Sequence, residues 1–110
     1  MKNLAPLKIG TLNIPLPIIQ GGMGVGISLS GMAASVANQG GVGVIASAGL
    51  GLLYRKKNPN FLRDSIDGLK EEIRKVRSNS NGVVGVNIMV AMSNFADMVK
   101  TSISEKADII

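Results

Sequence analysis

The chain has 110 residues, of which 45% are hydrophobic and 3% aromatic, and its formal charge is +5. That is one small domain by length, with enough apolar residues for an aliphatic core and too many for a disordered segment. The lack of cysteine excludes disulfides, Cys-ligated zinc, iron–sulfur clusters and a thiol nucleophile, and the lack of histidine excludes a Ser-His-Asp triad, a His base and a His-ligated metal within these residues.

Taken in chain order, LKIGTLNI reads as a small hairpin with Gly10-Thr11 at its turn. Pro17-Ile18-Ile19-Gln20 is a short apolar run bounded by Gly21-Gly22, too short for a helix, and reads as a buried strand. Ser28 or Ser30 is placed to cap a helix whose Met32, Ala33, Val36 and Ala37 share a face and which Gly40-Gly41 stops. Val42 to Ala46 is the next buried strand, followed by a small-residue loop, Ser47-Ala48-Gly49.

From Lys8 to Arg55 no charged residue intervenes, and most of the 14 glycines fall there. Pro15, Pro17, Gln20, Asn38, Gln39 and the glycines interrupt every candidate membrane span, which needs roughly 20 apolar residues. The N-terminus has no apolar run followed by a cleavage site. The expectation is therefore a soluble, cytoplasmic protein whose uncharged stretch is interior.

Asn58-Pro59 reads as the start of a long helix. Leu62, Ile66, Leu69, Ile73 and Val76 recur at steps of four and three, the clearest amphipathic pattern in the chain. SNSNG at 78–82 ends it. Val83 to Met89 reads as a third buried strand. Asn94 is placed to cap a last helix, with Asp97 in its first turn and Phe95, Met98, Val99 and Ile103 on one face. Ala107 to Ile110 begins another apolar run. Strict alternation of strands and helices, with continuously apolar strands, argues for an α/β fold with a parallel sheet. A strand opening at the final residues suggests that the chain is part of something longer; a doubly wound domain ending on a strand is the alternative.

Three motifs carry candidate chemistry. Gln20-Gly21-Gly22-Met23-Gly24-Val25-Gly26 directly follows a predicted strand, where parallel α/β folds bind ligands. Glycines there let backbone amides approach a ring or phosphate; a tight turn with no ligand is the plainer reading. The spacing does not fit the dinucleotide fingerprint. Gly41-Val42-Gly43-Val44-Ile45-Ala46 matches G-x-G-x-x-A formally but falls within a strand, so it reads as close helix–strand packing. Asn87 is an amide in an apolar run, where burial without a partner would cost about 1–3 kcal/mol. It either binds a ligand ring or is satisfied by neighbouring backbone. Met23, Met89 and Met92 could line a flat pocket, but core filling is the commoner role. The basic residues of 55–57 and 63–77 lie among Asp64, Asp67, Glu71 and Glu72 with few aromatics, a solvated helix surface rather than a nucleic-acid site.

Pro17-Ile18-Ile19-Gln20-Gly21-Gly22-Met23, Gly40-Gly41-Val42-Gly43-Val44-Ile45 and Gly85-Val86-Asn87-Ile88-Met89, in this order, closely resemble the amino-terminal part of the nitronate monooxygenase family, formerly 2-nitropropane dioxygenases. The flavin-dependent enoyl-acyl carrier protein reductases share these motifs. The resemblance implies a (β/α)8 TIM barrel binding FMN at the carboxyl ends of its strands, with residues 1–110 supplying its first half. Such barrels need ~250 residues. It implies flavin contacts at Gly22 and Met23, with Gly21 adjoining, and a flavin hydrogen bond from Asn87. It implies oxidation of an alkyl nitronate by oxygen to a carbonyl compound and nitrite. The alternative is NAD(P)H-dependent reduction of an enoyl thioester. The family's phosphate-binding glycines and its histidine have no counterpart here, so no catalytic residue is assigned and the 110 residues alone are expected to be inactive. A non-catalytic half barrel that self-associates through an open sheet edge is the alternative of another class.

Overall fold

The computed structural model describes residues 4–110. β1 (Leu7–Ile9) and β2 (Leu12–Ile14) form the expected hairpin, with Leu7 opposite Ile14 and Ile9 opposite Leu12. Gly10 turns the chain at φ 56°, a conformation open to glycine at no steric cost.

The Pro17–Gln20 run is less of a strand than expected. It contributes one parallel bridge, Ile19 to Val42, flanked by hydrogen bonds from Gln20 N to Val42 O and from Val42 N to Ile18 O. Beyond it the Gln20 side chain takes over from the backbone, its Oε1 accepting the Val44 amide at 3.0 Å. The glycines that follow are thereby free to leave the sheet.

α1 (Ser30–Asn38) has Leu29 at its cap position, and neither Ser28 nor Ser30 caps it through its side chain. Gly40, at φ 93°, follows its end and leads into β3 (Val42–Ala46). α2 (Leu50–Leu53) is a single turn that no sequence periodicity announced. α3 (Phe61–Asn79) starts at Asn60 rather than Asn58-Pro59, because the Asn60 side chain accepts the Arg63 amide at 2.9 Å. Leu69, Ile73 and Val76 are fully buried, while Leu62 at the first turn stays largely exposed.

β4 (Val83–Asn87) lies parallel to β3, from Val42 opposite Val83 to Ala46 opposite Asn87. It ends two residues before Met89, since the Asn87 carbonyl accepts from both the amide and the hydroxyl of Ser47, which leaves the sheet there. α4 (Phe95–Ser104) buries Met98, Thr101 and Ser102 and leaves Ile103 exposed. The apolar spacing misjudged this face because the Thr101 and Ser102 hydroxyls donate to the carbonyls of Asp97 and Met98 one turn back, so they enter the core satisfied. Nor does the Asn94 side chain cap the helix.

The last residues bridge Ile109 to Gly85 in parallel, with Val86 N donating to Ile109 O. Four parallel segments thus stand side by side in chain order: Ile19, β3, β4 and Ile109. The two faces of this sheet differ. Ile45, Val84 and Val86 join α1, α3 and Met98 of α4 in one core. Val42 and Val44 turn the other way and pack on Ile14, with Leu7, Val83 and Ile109 beside them. All three long helices therefore lie on one face, and the hairpin touches the other. Gly43 is needed for this packing, because a Cβ there would overlap the Ala33 carbonyl of α1. The G-x-G-x-x-A match is thus a close helix–strand contact. No helix among the described residues is long and apolar enough to cross a membrane.

Candidate functional site

Strand pairing sets Ala46 and Asn87 side by side at the carboxyl end of the sheet, while Gln20 ends its own short segment beside the start of β3. The loop after Gln20 folds back over this end. Its organiser is Ser28, which is fully buried. The Ser28 hydroxyl accepts the Met23 amide at 2.9 Å and donates to the Gly21 carbonyl at 3.1 Å, and the Ser28 amide donates to the Met23 carbonyl. Ser28 O in turn accepts the Ala46 amide, which ties the loop to the end of β3.

Within this loop Gly22 lies against Asn87. A Cβ at Gly22 would overlap Asn87 Cβ and stand 2.6 Å from its Cγ. Alternation along β4 puts Asn87 on the face away from the helices. Its carbonyl is taken by Ser47, but its exposed side-chain amide forms no hydrogen bond among the described residues. The reading in which neighbouring backbone satisfies this amide therefore does not hold. Gly21 has open space where a Cβ would be, Met23 is 46% exposed and Met89 is 51% exposed. These methionines are not core fillers. Gly21, Gly22, Met23 and Asn87 are thus gathered in one place, although the last lies more than sixty residues along the chain.

A second loop joins this end through Gly49, which at φ 77° packs against Val25, a contact a Cβ would close to 2.5 Å. Gly26 meets Leu53 of α2. Two site elements escaped sequence reasoning. Ser28 appeared only as a candidate helix cap, and Ser47 only as loop. The signal available for both was a small hydroxyl residue beside a strand end. Gln20, part of the motif, has a buried Nε2 with no partner among the described residues.

A buried acid, Glu72 of α3, reaches the residues that follow these two loops. Its Oε2 accepts the Ser30 amide at 2.6 Å and its Oε1 accepts the Tyr54 hydroxyl at 2.5 Å. Burial pushes the Glu72 carboxyl up, but hydrogen bonds from Tyr54 and Ser30 outweigh it and hold the group below the usual carboxylate range. Burial and Glu72 together raise the Tyr54 hydroxyl. A cleft of about 420 Å³ lies elsewhere, at the amino ends of β3 and β4 beside Gly40, Gly82 and Asp108. Its charged side chains are already engaged: Arg77 binds Asp108 at 2.8 Å and the Gly82 carbonyl at 3.1 Å. Along α3 the basic surface resolves largely into ion pairs, Arg63 with Asp64, Lys56 with Asp67 and Arg74 with Glu105 among them.

The family model described as nitronate monooxygenase matches residues 5–109. The chain belongs to the nitronate monooxygenase family. No curated protein matches it significantly. Membership makes the protein part of a family of flavin-dependent oxidoreductases, in agreement with the resemblance read from the three motifs. The residues at the carboxyl end suit a flavin. A nitronate monooxygenase must hold a planar, partly apolar ring, and here a glycine backbone, an exposed methionine and an amide with no hydrogen-bond partner among the described residues come together.

Proposed function

We propose that this chain supplies the flavin-contacting part of an FMN-dependent enzyme that oxidises alkyl nitronates with oxygen, and that it forms the first half of a (β/α)8 barrel completed by residues beyond these 110. The observation that carries the reading is the contact between Gly22 and Asn87, which sets an unpaired amide beside a backbone free of side chain. Parallel neighbours in chain order with the helices on one face support the barrel, because a doubly wound sheet reverses its order and takes helices on both faces.

In this reading Gly21 and Gly22 let the ring approach the backbone, Met23 offers an apolar wall and Asn87 orients the ring through its side-chain amide. When bound, FMN would supply the electron transfer and the reaction with oxygen, chemistry that no side chain here provides. The protein's share is placement. Asn87 and Ser47 lock the ends of β3 and β4 together, and Ser28 keeps the loop from collapsing into the space the ring needs.

Asn87→Ala in the full-length protein tests the assignment. Loss of one hydrogen bond, worth about 0.5–1.5 kcal/mol, should weaken FMN roughly two- to twelvefold without altering the fold. An unchanged dissociation constant removes Asn87 from the site. Oxygen uptake with an alkyl nitronate supports the substrate; NAD(P)H-dependent enoyl thioester reduction in its place would move the protein to the reductase alternative.

A further inference from the structure

α1 follows the glycine loop directly, yet it has no cap of its own. Its Ser30 amide is instead satisfied by Glu72, a residue of α3 that lies 42 positions away and is 3% exposed. The other Glu72 oxygen holds the Tyr54 hydroxyl at the end of α2, which follows the Ser47–Gly49 loop. Lys75 Nζ donates to the same hydroxyl at 3.2 Å and so steadies it from outside. A single carboxylate therefore anchors the helices behind both loops at the carboxyl end of the sheet. Buried acids are costly unless paired, and here the charge is stabilised by two donors that are themselves parts of the site's supports.

We infer that Glu72 is a positioning residue for the cofactor loop: it fixes the start of α1, and through Ser28 the backbone of residues 21–28, in the conformation that meets the flavin. The inference rests on the flavin reading of that loop. Glu72 touches no ligand and acts only through Ser30 and Tyr54. The chain of contacts is continuous, from Glu72 to the Ser30 amide, two residues back to the buried Ser28 hydroxyl, and from there to the Met23 amide and the Gly21 carbonyl.

The test uses the full-length protein and FMN. Glu72→Ala should bind FMN about tenfold more weakly, the size expected when a charge-assisted hydrogen bond that orders a loop is lost. It should also speed hydrogen exchange at the Met23 and Ser28 amides and change the visible circular dichroism of the bound flavin. Val76→Ala is the control: it opens a cavity beneath the same helix and removes neither hydrogen bond. At a comparable loss of melting temperature it should do none of these things. Glu72→Gln keeps an acceptor for Ser30 and should restore most of the affinity. If Glu72→Ala does not fold, Glu72→Asp, which keeps the charge but withdraws the oxygens by one methylene, should show the same loss. Unchanged affinity and exchange, or equal effects from the Val76 variant, would overturn the inference. If the wild-type protein binds no FMN, the flavin reading falls; exchange at Met23 and Ser28, compared between the Glu72 and Val76 variants, then decides the coupling by itself.

Discussion

Gly22 lies so close to Asn87 that the two behave as one surface: the glycine has no Cβ because the asparagine side chain occupies that space. A Cβ at Gly22 would stand 2.3 Å from Asn87 Cβ, which no side-chain rotation moves, so Gly22→Ala must shift the backbone of the loop away from the end of β4. The variant should lose some stability, and FMN affinity in the full-length protein should fall at least as far as in Asn87→Ala. A melting curve together with an FMN titration checks this. A stable variant with wild-type affinity would show that the contact does not shape the site.

Gly43 is the counterpart inside the core. A Cβ there meets backbone, the Ala33 carbonyl of α1, and cannot be relieved by a side-chain rotation. Gly43→Ala should force α1 off β3 and cost roughly 1–3 kcal/mol, the range for overpacking a tight core. Chemical denaturation should show an earlier midpoint with an unchanged slope.

Asp64 organises the 54–60 loop. It is fully buried and accepts from the backbone amides of Lys56 and Asn60 and from the Arg63 guanidinium. Burial raises its carboxyl, but these hydrogen bonds outweigh it and hold the group below its ordinary value. The folded carboxyl is thus the stronger acid. Its stabilising contribution is complete above the unfolded value and is lost as pH falls through the folded one. Asp64→Asn should therefore be less stable than the wild type at neutral pH, with a difference that narrows in acid. A pH series of denaturation midpoints for both proteins measures this.

Lys106 closes α4 at φ 60°, with its amide donating to Ile103 O and that of Ala107 to Ser102 O. The geometry is a helix C-terminus that glycine usually occupies. A left-handed conformation costs a non-glycine residue about 1–2 kcal/mol, offset in part by the greater freedom of glycine when unfolded. Lys106→Gly should raise the melting temperature modestly. A fall would show that the Lys106 side chain stabilises the turn in some other way.

Much of this was legible in the sequence because it depends on local pattern. The hairpin followed from alternation around Gly10, α3 from the spacing of Leu69, Ile73 and Val76, and β3 from an unbroken apolar run. The candidate site residues could be picked out because glycines after a strand and an amide inside an apolar strand are both unusual where nothing needs them. What periodicity cannot convey is which partner satisfies a backbone group. Ser30 looked like a cap, yet the cap is Glu72, whose position in sequence is unrelated to α1. Ile103 looked like core, yet Thr101 and Ser102 took the buried places because their hydroxyls could be satisfied within the helix.

By itself, the sequence determined the alternation of strands and helices, the aliphatic core, the absence of cysteine and histidine chemistry within these residues, and the family. Only the tertiary structure decided that Gly22 meets Asn87, that Ser28 and Ser47 hold the strand ends, and that Glu72 joins two helices behind the site. The physical reason is range. Secondary structure follows from contacts three or four residues apart. A site at the ends of parallel strands is made by residues that each crossover helix separates along the chain and only the sheet's register brings together.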